Sequence, residues 1–186
     1  MVLSEITENL VNSEPMVQVD HGFTQWLFRE RSTPVSQLLY ALTWLGSAYV
    51  TIGLTLIGSF VLYRQKKGRN MVILWILMAG VGLFVQVGKR TFIRARPTEV
   101  AYYTESGYSF PSGHSATAMT LYGLLGYWLV GICAIGLILV VGFSRIYLGV
   151  HFLSDVLGGY LVGACWLIVG IVLTEWQRTT HSTPVG

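Results

Sequence analysis

The stretch His114–Arg145, HSATAMTLYGLLGYWLVGICAIGLILVVGFSR, carries no charged residue between its two ends. As one continuous helix it would hold His114 and Arg145 roughly 46 Å apart, at 1.5 Å per residue. The two could then never meet the same ligand. Gly131, within the short stretch Val130–Cys133, offers a turn, and a helical hairpin there returns Arg145 to the face that carries His114. Each arm is then about 15 residues, short for a full bilayer crossing, so helix ends or a thinned bilayer are expected there.

The rest of the composition agrees with this membrane reading. Of 186 residues, 53% are hydrophobic and only 11% charged, against about a quarter charged in soluble domains. The length fits one domain. A net charge of +3, confined to short clusters, excludes nucleic acid as a natural partner. Cys133 and Cys165 both lie in apolar runs and read as small core or helix-contact residues rather than a disulfide framework. No signal peptide is expected, because residues 1–33 lack a basic start followed by an apolar run.

Working outward, the chain divides into a polar N-terminal segment (1–33), a membrane domain (34–174) and a cytoplasmic tail (175–186). Glu5, Glu8, Glu14 and Asp20 make the first segment acidic. Phe23, Trp26 and Leu27 share one face of a helix expected to lie on the membrane surface. Thr33-Pro34 reads as a cap and first helical position, and Gly46 as a break. Five spans are expected: Ala48–Tyr63, Met71–Gly88, the two hairpin arms, and Phe152–Leu173. Arg64, Lys66, Lys67 and Arg69 beside the first span argue for the cytoplasmic side. Met71–Gly88 then delivers Lys89 to the outer face. Gly159 and Gly163 would let a neighbouring helix approach closely. The fold class is thus an all-α integral membrane bundle of about five transmembrane helices plus an N-terminal interfacial helix.

This topology gathers Lys89, Arg90, Arg94, Arg96 and Arg145 on the non-cytoplasmic side, against the positive-inside trend. Arg90 and Arg94 read as anchors for lipid headgroups. Lys89 and Arg96, seven apart in KRTFIRARP (89–97), are expected on one helix face, where they repel unless an anion sits between them. Arginine presents a planar fork to phosphate oxygens and lysine a compact charge, and Pro97 is expected to end that helix. Pro111-Ser112-Gly113-His114 reads as a turn opening a helix. Its N–H groups and the Ser112 hydroxyl suit an anion, Gly113 allows close approach, and His114 stands where it can protonate a leaving oxygen. His151 and Asp155, four apart, share a helix face, so the carboxylate can fix the imidazole tautomer and leave the other nitrogen free to attack. Tyr102, Tyr103 and Tyr108, in an aromatic loop over 98–110, are candidates for bordering a lipid headgroup.

These three segments, Lys89-x6-Arg96-Pro97, Pro111-Ser112-Gly113-His114 and Ser144-Arg145-x5-His151-x3-Asp155, resemble the three-part signature of the type 2 phosphatidic acid phosphatase superfamily. The resemblance implies a metal-independent lipid phosphatase with His151 as nucleophile, Asp155 orienting it, and His114 as acid and then base. It also implies that Lys89, Arg96, Arg145, Ser112 and Gly113 bind the phosphoryl group. No cofactor and no metal are expected, since cations fill the electrophilic role. The expected partners are the bilayer and a lipid phosphate or pyrophosphate at the outer leaflet of the cell (inner) membrane. Undecaprenyl pyrophosphate leads, followed by phosphatidylglycerophosphate, phosphatidic acid and lipid A. Membrane members of the superfamily commonly have six spans. The span missing here is the first, which places the N-terminus outside, in a five-span variant or a domain cut from a larger chain. Two readings of other classes remain: a vanadate-dependent haloperoxidase-like enzyme, and a non-catalytic lipid-binding membrane protein.

Overall fold

The computed structural model describes residues 13–129 and 131–181. Glu5, Glu8, Val130 and the end of the tail lie outside them. Among the described residues the fold is wholly helical. Helix α1 spans Glu14–Arg29, α2 Thr33–Thr43, α3 Ala48–Arg64, α4 Gly68–Phe92, α5 Gly113–Leu129, α6 Cys133–Tyr147 and α7 Leu153–His181. The expected N-terminal helix is therefore present, and it begins at Glu14 with Pro15 in its first turn.

Helix α2 starts at Thr33, with Ser32 in the capping position and Pro34 in the first turn. Its continuation breaks at Trp44–Gly46, and α3 restarts behind Ser47, whose hydroxyl accepts the Val50 N–H at 3.3 Å. The two helices meet at 46°. Gly46 sits at this bend because a Cβ there would lie 2.5 Å from Val141 and 3.1 Å from the His114 Cβ. The break thus lets the α2–α3 corner close over the start of α5.

By length and apolar composition α4 and α7 each suffice to cross a membrane, and the bent α2–α3 pair makes a third if taken as one span. That is fewer than the five spans expected, because α5 has 17 residues and α6 only 15. These two do form the expected hairpin, with Gly131 between them donating its N–H to the Gly126 carbonyl at 2.9 Å. Helix α5 packs tightly along α7. A Cβ on Gly159 would lie 2.5 Å from the Ser112 carbonyl, and one on Gly163 equally close to that of Ala116. Both glycines therefore perform the close-approach role read from the sequence.

Buried Leu62, Ile73, Leu74, Leu77, Leu121 and Leu124 fill one end of the bundle. Leu27, Leu39, Ile146, Tyr147 and Val156 tie α1 and α2 to α6 and α7 at the other. Cys133 and Cys165 are both exposed rather than core residues, since they fall on the outward faces of α6 and α7.

Helix α4 ends at Phe92 and not at Pro97. Ile93 adopts a left-handed conformation (φ 47°), which turns the chain out of the helix, and residues 94–97 are not helical. Lys89 and Arg96 therefore do not share a helix face. They converge because the 94–97 segment folds back beside the 105–109 loop, where the Ser109 N–H donates to the Arg94 carbonyl at 2.8 Å.

Candidate active site

Three chain segments deliver His151, Asp155, Arg96 and Arg145 to one end of the bundle. His151 lies in the turn between α6 and α7. Gly149, with φ 67°, makes that turn tight: a Cβ there would meet the Val100 carbonyl at 2.5 Å. The His151 N–H is held by the Arg145 carbonyl at 3.2 Å. Asp155 sits in the first turn of α7, and both side chains are fully buried.

The His151 ring has two partners. Its Nδ1 lies 3.3 Å from Asp155 Oδ2, and its Nε2 lies 2.9 Å from Arg96 Nη1. A guanidinium can only donate, so Nε2 must be the acceptor and the ring proton belongs on Nδ1, facing the carboxylate. Burial, with the charges of Arg145 and Arg96, holds His151 well below the ordinary histidine range, while Glu105 opposes them. The imidazole is thus neutral, with a lone pair directed at the cations.

Arg96 also donates to the carbonyls of Val150 (2.8 Å), Gly107 (3.0 Å) and Tyr108 (3.2 Å). Lys89 Nζ donates to the same Tyr108 carbonyl at 2.9 Å. Arg145 has no exposed surface. Its guanidinium donates to Thr43 Oγ1 (3.1 Å), to the Tyr103 hydroxyl and to Glu105, while its Nε is buried with no partner among the described residues. Lys89 and Arg96 meet this loop through the fold-back of the 94–97 segment, and the hairpin brings Arg145 to it.

Glu105 is the site residue that sequence reading missed. It pairs with Arg145 and, at 3.3 Å, with Arg96. Burial raises its proton affinity, but Arg145 and Arg96 outweigh that and hold it below the ordinary carboxylate range. The available signal was one of two acids, Glu99 and Glu105, in an aromatic loop between two basic motifs, and only the folded loop shows that Glu105 lies against both arginines.

His114, in the first turn of α5, lines a cavity of about 480 Å³ with Tyr40, Thr43, Trp44, Tyr49, Tyr103 and Glu105. Of the three candidate loop tyrosines only Tyr103 faces it. Tyr102 and Tyr108 are exposed, and Tyr102 packs 6.2 Å from the Tyr40 ring. Ser112 is fully buried. Its N–H donates to the Asp155 carbonyl at 2.9 Å and its hydroxyl accepts from Ser115 Oγ at 3.0 Å, which ties the start of α5 to α7. A Cβ on Gly113 would meet nothing closer than Val85 at 3.4 Å.

Arg94 departs most from expectation. Rather than reaching for lipid headgroups, it is buried between two carboxylates, 2.7 Å from Asp20 and 2.8 Å from Asp155. The end of α4 at Ile93 points it inward.

A family model described as the PAP2 superfamily matches residues 70–179, and the chain belongs to that family. It is similar to phosphatidylglycerophosphatase B of Bacillus subtilis (strain 168), 28% identical over 82% of each chain. It is also similar to an undecaprenyl-diphosphatase of Sulfolobus acidocaldarius, 29% identical over 78% of this chain and 75% of that one. The crystal structure of a transmembrane PAP2-type phosphatidylglycerolphosphate phosphatase from Bacillus subtilis superposes with a TM-score of 0.85 at 26% identity, covering 94% of this chain and 93% of the other. That of Aquifex aeolicus LpxE gives 0.68 at 25% identity, covering 84% and 94%. The resemblance read from the three motifs therefore holds. The protein is an enzyme, an integral membrane lipid phosphatase of the PAP2 superfamily.

Proposed function

We propose that the protein hydrolyses lipid phosphates or pyrophosphates at the outer face of the cell membrane through a phosphohistidine on His151. The observation that carries this reading is the tautomer forced on His151: Nδ1–H towards Asp155, and a bare Nε2 beside Arg96.

In the first step the Nε2 lone pair attacks phosphorus and the P–O bond to the lipid breaks. His114 donates its proton to the departing oxygen. Lys89, Arg96 and Arg145 hold the phosphoryl oxygens as charge shifts onto them, the kind of preorganised stabilisation that contributes most in a dry site. For phosphate to meet Arg145 and Arg96, the Glu105 carboxylate must yield its place, and the Arg96 N–H must turn from His151 Nε2 to a phosphoryl oxygen so that the lone pair is free. In the second step water attacks phosphorus, His114 takes the water proton, and the P–N bond breaks, so that inorganic phosphate leaves with the His151 lone pair restored. Ser112 and the Gly113 N–H complete the phosphate site in this reading.

The α5–α6 hairpin completes five spans, with α1 lying at the membrane surface and the site on the periplasmic or extracellular side. The cavity lined by Tyr40, Trp44, Tyr49 and Tyr103 suits a headgroup entering from the bilayer. Undecaprenyl pyrophosphate leads the candidate substrates, with phosphatidylglycerophosphate beside it. The two curated relatives carry names for acting on a substrate of each kind.

The test is phosphate release by detergent-purified protein in EDTA, with undecaprenyl pyrophosphate, phosphatidylglycerophosphate, phosphatidic acid and a soluble ester side by side. Release that disappears in His151→Ala is expected, and the ranking identifies the substrate. Release that survives His151→Ala overturns the phosphohistidine reading.

A further inference from the structure

Asp155 is saturated with hydrogen-bond donors. Its Oδ2 takes the Phe152 N–H at 2.9 Å and faces His151, while its Oδ1 takes Arg94 Nη1 at 2.8 Å. The far side of the same guanidinium donates to Asp20 Oδ2 at 2.7 Å. Asp20 lies on α1 and has no exposed surface. It accepts the Ser154 N–H at 3.0 Å on its Oδ1, and the Ser154 hydroxyl on its Oδ2. Arg94 also donates to that hydroxyl at 2.6 Å and lies 4.6 Å over the Phe152 ring. The result is a chain of alternating charge, Asp20–Arg94–Asp155–His151, running from the N-terminal helix to the imidazole.

Burying ions is expensive, and removing one partner leaves an uncompensated charge. A pair at Arg94 and Asp155 alone would leave half of the guanidinium fork unmatched. Asp20 supplies the second carboxylate, so the arginine is bridged on both sides and its plane is set. Its fork geometry makes it suited to this bridging, which a lysine point charge does not reproduce. With Oδ1 fixed by Arg94, rotation of the carboxylate is blocked, and Oδ2 stays on His151 Nδ1.

We propose that Arg94 and Asp20 are positioning residues for the phosphatase reaction: Arg94 locks the rotamer of Asp155, and Asp20 locks Arg94, so that α1 is a working part of the active site. This inference rests on the proposed role of His151 and Asp155. Arg94 makes no contact with the phosphate in that scheme, so its loss acts on the chemical step rather than on binding.

The test is steady-state kinetics of detergent-purified Arg94→Ala, Arg94→Lys and Asp20→Asn on the lipid pyrophosphate. Folded fraction is checked by size exclusion, and His151→Ala serves as control. Outer partners that orient a metal-ligating histidine contribute about 10- to 100-fold, and a factor of that order is expected for partners that orient Asp155. Arg94→Ala is expected to lower kcat by that factor with KM within about two-fold, Arg94→Lys to recover part of it, and Asp20→Asn to lower kcat less than Arg94→Ala. In an Asp155→Asn background Arg94→Ala is expected to cost almost nothing further, because the two act as one unit. Wild-type kcat per folded molecule in Arg94→Ala, or fully additive losses with Asp155→Asn, overturns the proposal. Should Arg94→Ala not fold, Arg94→Lys and Asp20→Asn decide it, and wild-type kcat in both is the overturning result. If His151→Ala stays active, the phosphohistidine reading fails instead, and the two failures are distinct.

Discussion

At the end of the bundle that holds His151, the side chains of Asp20, Asp155 and Arg145 have no exposed surface and that of Arg94 keeps 9%. At the far end of α7, Glu175 and Arg178 form an ion pair at 2.7 Å with 48% and 61% of their side chains exposed. Both ends contain ion pairs, but they differ in what solvent does for them. The exposed pair is screened by water and contributes about 0–1 kcal/mol. The buried ions have lost their hydration, and they persist only because each is matched by several donors or acceptors. Where a chain keeps such an arrangement at the mouth of an apolar bundle, the arrangement serves chemistry more than stability.

That contrast can be broken or sharpened by substitution. His151→Ala has the largest expected effect: phosphate release falls to background while the protein remains folded. Residual turnover near wild type would remove His151 from the reaction. Asp155→Asn keeps the size of the side chain but spoils the tautomer, and a loss of about 10⁴-fold is expected, as in a serine triad. A loss below ten-fold would show that the carboxylate is dispensable.

Leu77→Ala probes the apolar end, where Leu77 is fully buried beside Gly170. A loss of about 2–5 kcal/mol of stability is expected from the cavity, read as a lowered melting temperature in detergent, with kcat per folded molecule unchanged. A matching drop in kcat would mean that the two ends are coupled.

Smaller still is the pH effect. Because burial and the neighbouring cations hold His151 below the ordinary value near 6.5, the acidic limb of kcat/KM is expected below that value. The Glu105 carboxylate acts to raise it, so Glu105→Gln moves the limb to lower pH. A shift upward would contradict the placement of Glu105 beside the free enzyme's cations. Glu175→Ala is expected to change neither turnover nor melting beyond about 1 kcal/mol, as for other exposed pairs.

Much of the candidate site was legible because its residue types are costly where they stand. Charged and titratable groups bracketing the uncharged run of thirty residues from Ser115 to Ser144 demand a common partner, and the hairpin at Gly131 follows from that demand. The three motifs, the break at Gly46 and the packing glycines 159 and 163 were all readable on spacing and composition. Arg94 was misread because its direction depends on where α4 ends. Ile93 stops the helix four residues before Pro97 by adopting a left-handed conformation that residue type does not announce. Glu105 and Asp20 were passed over for a related reason: each is an ordinary acid in a polar segment until distant parts of the chain come within reach.

The sequence by itself determined the membrane-helical character of the chain and the hairpin, which follow from length and the cost of charge in an apolar setting, and its three motifs carried the resemblance to the family. Which cation meets which carboxylate was decided only in three dimensions. Arg94 pairs across 74 residues with Asp20 and across 61 with Asp155, and Arg145 reaches back 102 residues to Thr43. A guanidinium accepts any carboxylate of suitable geometry, so sequence spacing carries no record of the choice. The packing of α1 and the 94–109 segment onto α7 makes it.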